Sequence, residues 1–200
     1  VRTLFDPADT APNRMYQLLT ASVVPRPIAW VSTRASDGTA NLAPYSFFTV
    51  TSADPPVVQF TSVTRKDSLR NIEDTGVFVV NLAPAPLIEQ VNASSAVFDA
   101  AVSEFDAVGV TAEPSERVAA PRVAESPVAI ECELFRVIEV GTSFVVMGSV
   151  RAISVRTEAL ADDGLPDFAA IAPLSRLGRI QWGLPPQVRE IRRPGRPATT

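Results

Sequence analysis

Short apolar runs alternate with turn-forming residues along most of this chain, a pattern that predicts strands rather than long helices. Val23 to Thr33 combines β-branched residues with a tryptophan. Pro25-Arg26-Pro27 interrupts its start, so that end is expected to be irregular or at a sheet edge. After the turn signal Ser36-Asp37-Gly38, Thr39 to Thr51 returns as the second strand of a hairpin. Val57 to Ser62 reads as a third strand, and Val77 to Leu82 as a strand covered on both faces because its apolarity is continuous. Val128, Ile130, Cys132 and Leu134 alternate with Ala129, Glu131 and Glu133, the period of a half-buried strand. Near Phe135 the phase shifts, which predicts a β-bulge. Phe144 to Val155 is the last long strand, followed by the turn Asp162-Asp163-Gly164.

Two short helices fit between the strands. The first is Ser68 to Asp74, capped by Asp67 and ending before Gly76; the second is Pro86 to Val91, with Leu87, Ile88 and Val91 on one face. Ala93 to Arg122 reads as loop with a little helix, a place for a partner subunit to pack. The segment from Arg189 to Thr200, rich in arginine and proline, has no periodicity and is expected to be poorly ordered or draped on a partner. The strands do not alternate regularly with helices, so the chain is mainly β and barrel-like rather than doubly wound. One domain over residues 1–188 with a tail over 189–200 is the expected organisation.

Composition narrows the chemistry. With 200 residues, 46% of them hydrophobic, the chain is long enough for one substantial core. A net charge of −4 argues against nucleic acid as a partner, because binding its phosphates takes clustered cations. The chain has no histidine and one cysteine, Cys132, which excludes an internal Ser-His-Asp triad, a Cys-His pair, the common zinc sites and an internal disulfide. Cys132 is read as a small core residue. The longest apolar runs are far short of the ~20 residues a membrane helix needs, so no membrane partner is expected. A cytoplasmic location is the expectation. Neither a dinucleotide-binding glycine fingerprint nor a P-loop occurs, so a nucleotide would have to be held differently. Asp162, Asp163 and Asp167 lack the spacing of a calcium loop and read as a solvated turn.

Four ordered blocks carry the positive signal. They are Val24-Pro25-Arg26-Pro27-Ile28-Ala29-Trp30-Val31-Ser32-Thr33, Asn41-Leu42-Ala43-Pro44-Tyr45-Ser46-Phe47-Phe48, Asp54-Pro55-Pro56 and Lys66-Asp67-Ser68-Leu69-Arg70-Asn71-Ile72. Over roughly Met15 to Gly183 the chain resembles the flavin reductase-like FMN-binding split-barrel proteins, a group of flavin reductases, flavoredoxins and flavoprotein oxygenases. The resemblance implies a Greek-key split β-barrel with short inserted helices and an FMN cofactor, FAD being the lesser alternative. It also implies a homodimer whose flavin pocket is completed across the two-fold interface, NAD(P)H as an electron donor, and a small-molecule redox substrate.

A flavin needs a flat apolar slot for its ring, donors along the ring edge and a cationic or donor-rich pocket for its phosphate. By resemblance, Trp30 lies near the ring, and its other reading is a core aromatic. Pro44, Tyr45, Ser46 and Phe47 run beside the flavin with Ser46 as the hydroxyl contact; one of Phe47 and Phe48 faces the core. Ser62, Lys66, Asp67 and Ser68 form the phosphate pocket where a strand end meets a helix start, Asp67 orienting Lys66 or capping the helix. Arg26, stiffened by two prolines, faces either a phosphate or the reduced ring, or is simply an exposed turn arginine. Ser175-Arg176-Leu177-Gly178 resembles the family's Arg-Leu-Gly-Gly element, but Arg179 replaces the second glycine and the aromatic that follows is Trp182. Arg176 either reaches the flavin or contacts a second subunit. The chain is thus expected to be an FMN-binding oxidoreductase, with an electron carrier or a non-catalytic flavin-binding module as the alternative.

Overall fold

The computed structural model describes residues 1–99 and 101–194. Helix α1 (Pro12–Ser22) opens the fold, followed by β1 (Arg26–Pro27), β2 (Ala29–Arg34), β3 (Ala40–Tyr45), β4 (Phe48–Ala53) and β5 (Pro56–Ser62). Then come α2 (Asp67–Thr75), β6 (Val77–Leu82), a 3-10 turn (Ala85–Leu87), α3 (Ile88–Ala93) and α4 (Glu104–Val108). The short pair β7 (Ala112–Glu113) and β8 (Arg122–Val123) precedes the long hairpin β9 (Val128–Val140) and β10 (Ser143–Val155); α5 (Phe168–Ile171), β11 (Ser175–Arg176) and β12 (Trp182–Gly183) complete the described fold.

Seven strands make one antiparallel sheet in the order β3-β2-β6-β9-β10-β5-β4. Its two edge strands, β3 and β4, are consecutive in the chain, joined only by Ser46 and Phe47. The sheet must therefore curl until its edges meet, and the chain rather than a hydrogen-bonded ladder closes it. That is a split barrel. The expected single strand from Thr39 to Thr51 is broken there, since a continuous strand cannot lie on both edges of one sheet.

Pleating sorts β2 between two cores. Ala29 and Val31 point into the barrel with Tyr45, Phe60, Leu69, Ile72, Phe78, Cys132 and Val146. Trp30 points outward into a second cluster with Ile28, Leu42, Val91, Phe105 and Leu174, roofed by α3 and α4. Cys132 is packed inside the barrel, where burial pushes its thiol up to about 12 and keeps it protonated at neutral pH.

The bulge expected near Phe135 is present: Arg136 pairs with Met147 and Leu134 with Gly148, leaving Phe135 unpaired. Glycine at 148 is a packing requirement, because a Cβ there would lie 2.8 Å from Cys132 Cβ and against the Phe78 ring. Gly148→Ala should cost about 1–3 kcal/mol through overpacking. An unchanged denaturant midpoint would show that the barrel interior yields instead.

Several expectations are corrected. Asp67 does not cap α2: it is the first helical residue and pairs with Arg70, while Lys66 occupies the cap position. Glu131, placed toward solvent by the alternation, is fully buried and accepts the backbone N–H groups of Glu116 (2.9 Å) and Arg117 (2.6 Å). The loop it anchors covers that face of the sheet. Helix α1 has no counterpart in the sequence pattern, because only Thr20 of its residues is buried. Part of the expected tail, residues 195–200, lies outside the described residues; Arg189 to Pro194 are exposed and without secondary structure. No described helix is long and apolar enough to cross a membrane.

Candidate flavin site

Edge strand β3 borders a cleft of about 340 Å³, the lower range for small-molecule sites. Its floor carries Asn41, Pro44 and Tyr45; one wall is the turn into α2 with Thr64, Lys66 and Ser68, the other Ser94 to Phe98 with Glu104. A smaller hollow of about 130 Å³ adjoins it, sharing Pro44 and Ser95 and adding Ser46, Arg176 and Trp182. Together they form one trough along the strand edge, with Lys66, Asp67 and Glu104 at one end and Arg176 and Trp182 at the other.

Edge geometry explains Pro44. The N–H of Leu42 leaves the sheet and donates to Glu104 Oε2 at 3.0 Å. Two residues further on, Pro44 faces the same side of the strand, so its missing N–H removes no ladder bond. The backbone beside the trough is thereby left free of ladder partners.

At the polar end, Arg70 is the first residue of α2 to close a helical bond, to the Lys66 carbonyl at 3.1 Å. The N–H groups of Asp67, Ser68 and Leu69 consequently have no helical acceptor. They add to the partial positive charge of the helix start. Lys66, the only lysine in the chain, has no ion-pair partner among the described residues. An unpaired ammonium beside free amides suits a phosphate group.

The hydroxyls at this end are committed elsewhere. Ser68 Oγ donates to Asn41 Oδ1 at 3.2 Å, and Asn71 Nδ2 donates to Thr33 Oγ1 at 3.0 Å, so polar side chains tie α2 to the β2–β3 hairpin. Ser62 is fully buried and donates to the Thr64 carbonyl at 2.6 Å, shaping the turn rather than facing the cleft. That removes Ser62 from the ligand-facing set, because its proton and its surface are already used.

Arg26 is a clamp. Only 7% exposed, it donates to the carbonyls of Thr20, Val23 (2.9 Å) and Leu177 (3.0 Å) and to Ser46 Oγ at 3.4 Å. Its guanidinium also stands 5.8 Å from the Phe47 ring. One side chain therefore bolts α1 and the β11 segment onto the β3–β4 link, which leaves it neither an exposed turn residue nor free to meet an anion. Phe48 packs toward the barrel core while Phe47 faces α1 beside Tyr16, the division expected of neighbouring strand residues.

Trp30 requires the same kind of correction. Its side chain has no exposed surface, and its indole N–H donates to Ser94 Oγ at 2.9 Å. A ring cannot stack on it; Trp30 instead supports the Ser94–Ser95 wall from behind. Trp182 does line the trough, with the Arg176 guanidinium 4.6 Å from its ring and hydrogen-bonded to the Arg179 carbonyl at 3.2 Å. Asn41, Thr64, Ser94, Ser95 and Glu104 belong to the site without having been anticipated. Only Asn41 lies within a recognised block; Thr64, Ser94 and Ser95 arrive from connecting segments and Glu104 from the start of α4.

Asp163 and Asp167 serve local backbone, accepting from Leu165 N–H (3.0 Å) and Ala170 N–H (2.8 Å).

Comparison with known proteins agrees with this geometry. Residues 21–170 match the model of the flavin reductase like domain family. A protein of Deinococcus radiodurans with no assigned function is 39% identical over 187 residues, covering 88% of this chain and 82% of its own length. Among solved structures, nitrilotriacetate monooxygenase component B from Bacillus cereus superposes with a TM-score of 0.92 at 27% identity, covering 96% of this chain and 99% of that one. The 2-nitrobenzoate 2-nitroreductase of Pseudomonas fluorescens does so with a TM-score of 0.89 at 30% identity and 96% coverage of each chain. With the family match spanning all four sequence blocks and the barrel that carries the trough, the chain belongs to the flavin reductase-like family of flavin-dependent oxidoreductases.

Proposed function

We propose that the chain binds FMN along this trough and moves electrons from a nicotinamide dinucleotide to a small-molecule acceptor. The observation that carries the reading is the polarity of the trough: Lys66 and three unpaired helix N–H groups at one end, Pro44, Trp182 and Arg176 at the other. A phosphate fits the first end and a planar heteroaromatic ring the second. Bound flavin supplies hydride and electron chemistry, so no protein acid or base is required. The chain's own part is to position: Lys66 and the start of α2 hold the phosphate, the β3 edge lies along the ring, and Arg176 offers positive charge where the reduced ring is anionic.

A homodimer accompanies this reading. The exposed apolar side chains of α1, Tyr16 and Leu19, continue through Val23 into a groove bordered by Phe47. By contrast, the apolar residues Phe105, Val110, Val118 and Ala120 of the segment from Ala93 to Arg122 are buried within the chain itself. The α1 face therefore suits a second copy better than that loop does.

Purified protein is expected to be yellow, to release FMN on denaturation and to bleach reversibly when NADH or NADPH is added. Colourless protein that ignores added FMN would refute the flavin reading. Yellow protein with no steady-state turnover on either nicotinamide would make it an electron carrier instead.

A further inference from the structure

Arg179 stands where the resembling proteins carry a second glycine, yet its backbone keeps a glycine's conformation: φ is +59°, in the left-handed region that side chains seldom enter. The turn around it is fixed from both sides. Leu177 N–H donates to the Gln181 carbonyl and Gln181 N–H to the Gly178 carbonyl, each at 3.1 Å. Gly178 lies so close to α1 that a Cβ there would come within 2.8 Å of Ala21 Cβ, and the Leu177 carbonyl is held by Arg26. With its neighbours fixed, Arg179 turns its own carbonyl back onto Arg176, which donates to it from Nη2 at 3.2 Å. A residue held in such a conformation against its preference points to a role for that conformation.

Arg176 is thereby pinned twice. Its guanidinium stands 4.6 Å from the Trp182 ring, inside cation–π range, and both side chains line the hollow at the ring end of the trough with Pro44 and Ser46. Among the described residues neither Arg176 nor its neighbour Arg26 pairs with a carboxylate. Burial chiefly, and the nearby charge of Arg176 in part, lower the pKa of Arg26, so the two cations stand close enough to repel. The fold thus keeps uncompensated positive charge at this end. A flavin that takes up two electrons and one proton carries one negative charge, on the edge of its ring, and protein charge near that edge tunes its electronics.

We propose that Arg179 and Trp182 are positioning residues: the carbonyl of one and the ring of the other hold the Arg176 guanidinium at this end of the trough, where its charge stabilises reduced flavin over oxidised. This rests on the flavin reading. The contribution of Arg179 is its backbone and not its side chain, which explains how arginine can stand in a glycine's place. A charge fixed before the electrons arrive needs no rearrangement when they do, whereas a mobile arginine would turn toward water.

The test measures the midpoint potential of bound FMN by dithionite titration, together with the affinity of each redox form. Arg176→Ala should weaken binding of reduced flavin about tenfold more than that of oxidised flavin, a shift of about 30 mV to more negative potential for two electrons. Arg179→Val, whose β-branched side chain resists a left-handed backbone, should shift it the same way; Arg179→Gly, which keeps the turn and the carbonyl, should hold the wild-type potential. Trp182→Leu, which removes the stack and leaves the turn, should also shift it negative, and decides the proposal if Arg179→Val does not fold. A readout that needs no flavin is the Arg176 side-chain proton resonance, shifted upfield by the Trp182 ring in wild type and in Arg179→Gly but not in Arg179→Val. Equal weakening of oxidised and reduced flavin in Arg179→Val and Trp182→Leu would overturn the proposal in favour of a merely structural role. A negative shift in Arg179→Gly as large as in Arg179→Val would move the role to the side chain and overturn it too. Protein that binds no flavin would refute the flavin reading, and the resonance would still decide whether Arg179 holds Arg176.

Discussion

Trp30→Ala is expected to destabilise the protein by about 3–5 kcal/mol, the range for emptying a fully buried large aromatic site. The side chain is surrounded by Ile28, Leu42, Val91 and Phe105, so the cavity would sit between the barrel and the helices that roof it. Trp30→Phe separates the two roles of the indole. It keeps most of the packing but loses the hydrogen bond to Ser94, which in turn donates to the Val91 carbonyl at 3.0 Å. That variant should lose about 1 kcal/mol. Its flavin affinity should also fall, because Ser94 and Ser95 form a wall of the trough. Denaturant midpoints and flavin titrations on both variants check this. If Trp30→Ala unfolded at the wild-type midpoint while flavin binding vanished, the side chain would belong to the ring and not to the core.

Arg26→Ala should cost on the order of 3 kcal/mol, since it strands several carbonyls that were bonded to a buried charge. Thr20 and Val23 at the end of α1, and Leu177 beyond β11, would all lose their common partner. Arg26→Lys should recover little of this, because one ammonium cannot serve three carbonyls and Ser46 from the position of a planar guanidinium. The expected signature is early detachment of α1, read as faster amide exchange over Pro12–Ser22 than in wild type. Unchanged exchange there together with weaker flavin binding would assign Arg26 to the ligand.

The two residues teach the same lesson about legibility. Both stand in a sequence block that identified the family, and both were candidates for direct flavin contact. Pleating along β2 puts Ala29 and Val31 on one face and Trp30 on the other. No local pattern says that α3 and α4 cover the second face. Arg26 is a sharper case: its partner Leu177 is 151 positions away, beyond the reach of any local pattern. Helix α1 escaped notice because its contacts are few and its hold on the fold is that same arginine.

What was legible follows from rules that act over a few residues. The phase shift at Phe135 marked a bulge because side chains alternate strictly along a strand, so an extra residue must reverse the faces. Gly76 marked the end of α2 because the left-handed turn there, at φ +74°, favours a residue without Cβ. The four blocks with their spacings marked the family, and Lys66 and Ser68 of the fourth block line the trough. Asp67 was misjudged in role only, since its choice between Lys66 and Arg70 depends on side-chain reach rather than on order.

The sequence by itself thus determined the strands, the turns and the family, all of which depend on local periodicity and short motifs. Which face of β2 is roofed, that Glu131 is buried beneath a loop and that Arg26 is spent on carbonyls were decided by tertiary structure alone. Burial and hydrogen-bond saturation are properties of what packs from elsewhere in the chain, and closing this barrel brings together residues that no local rule connects.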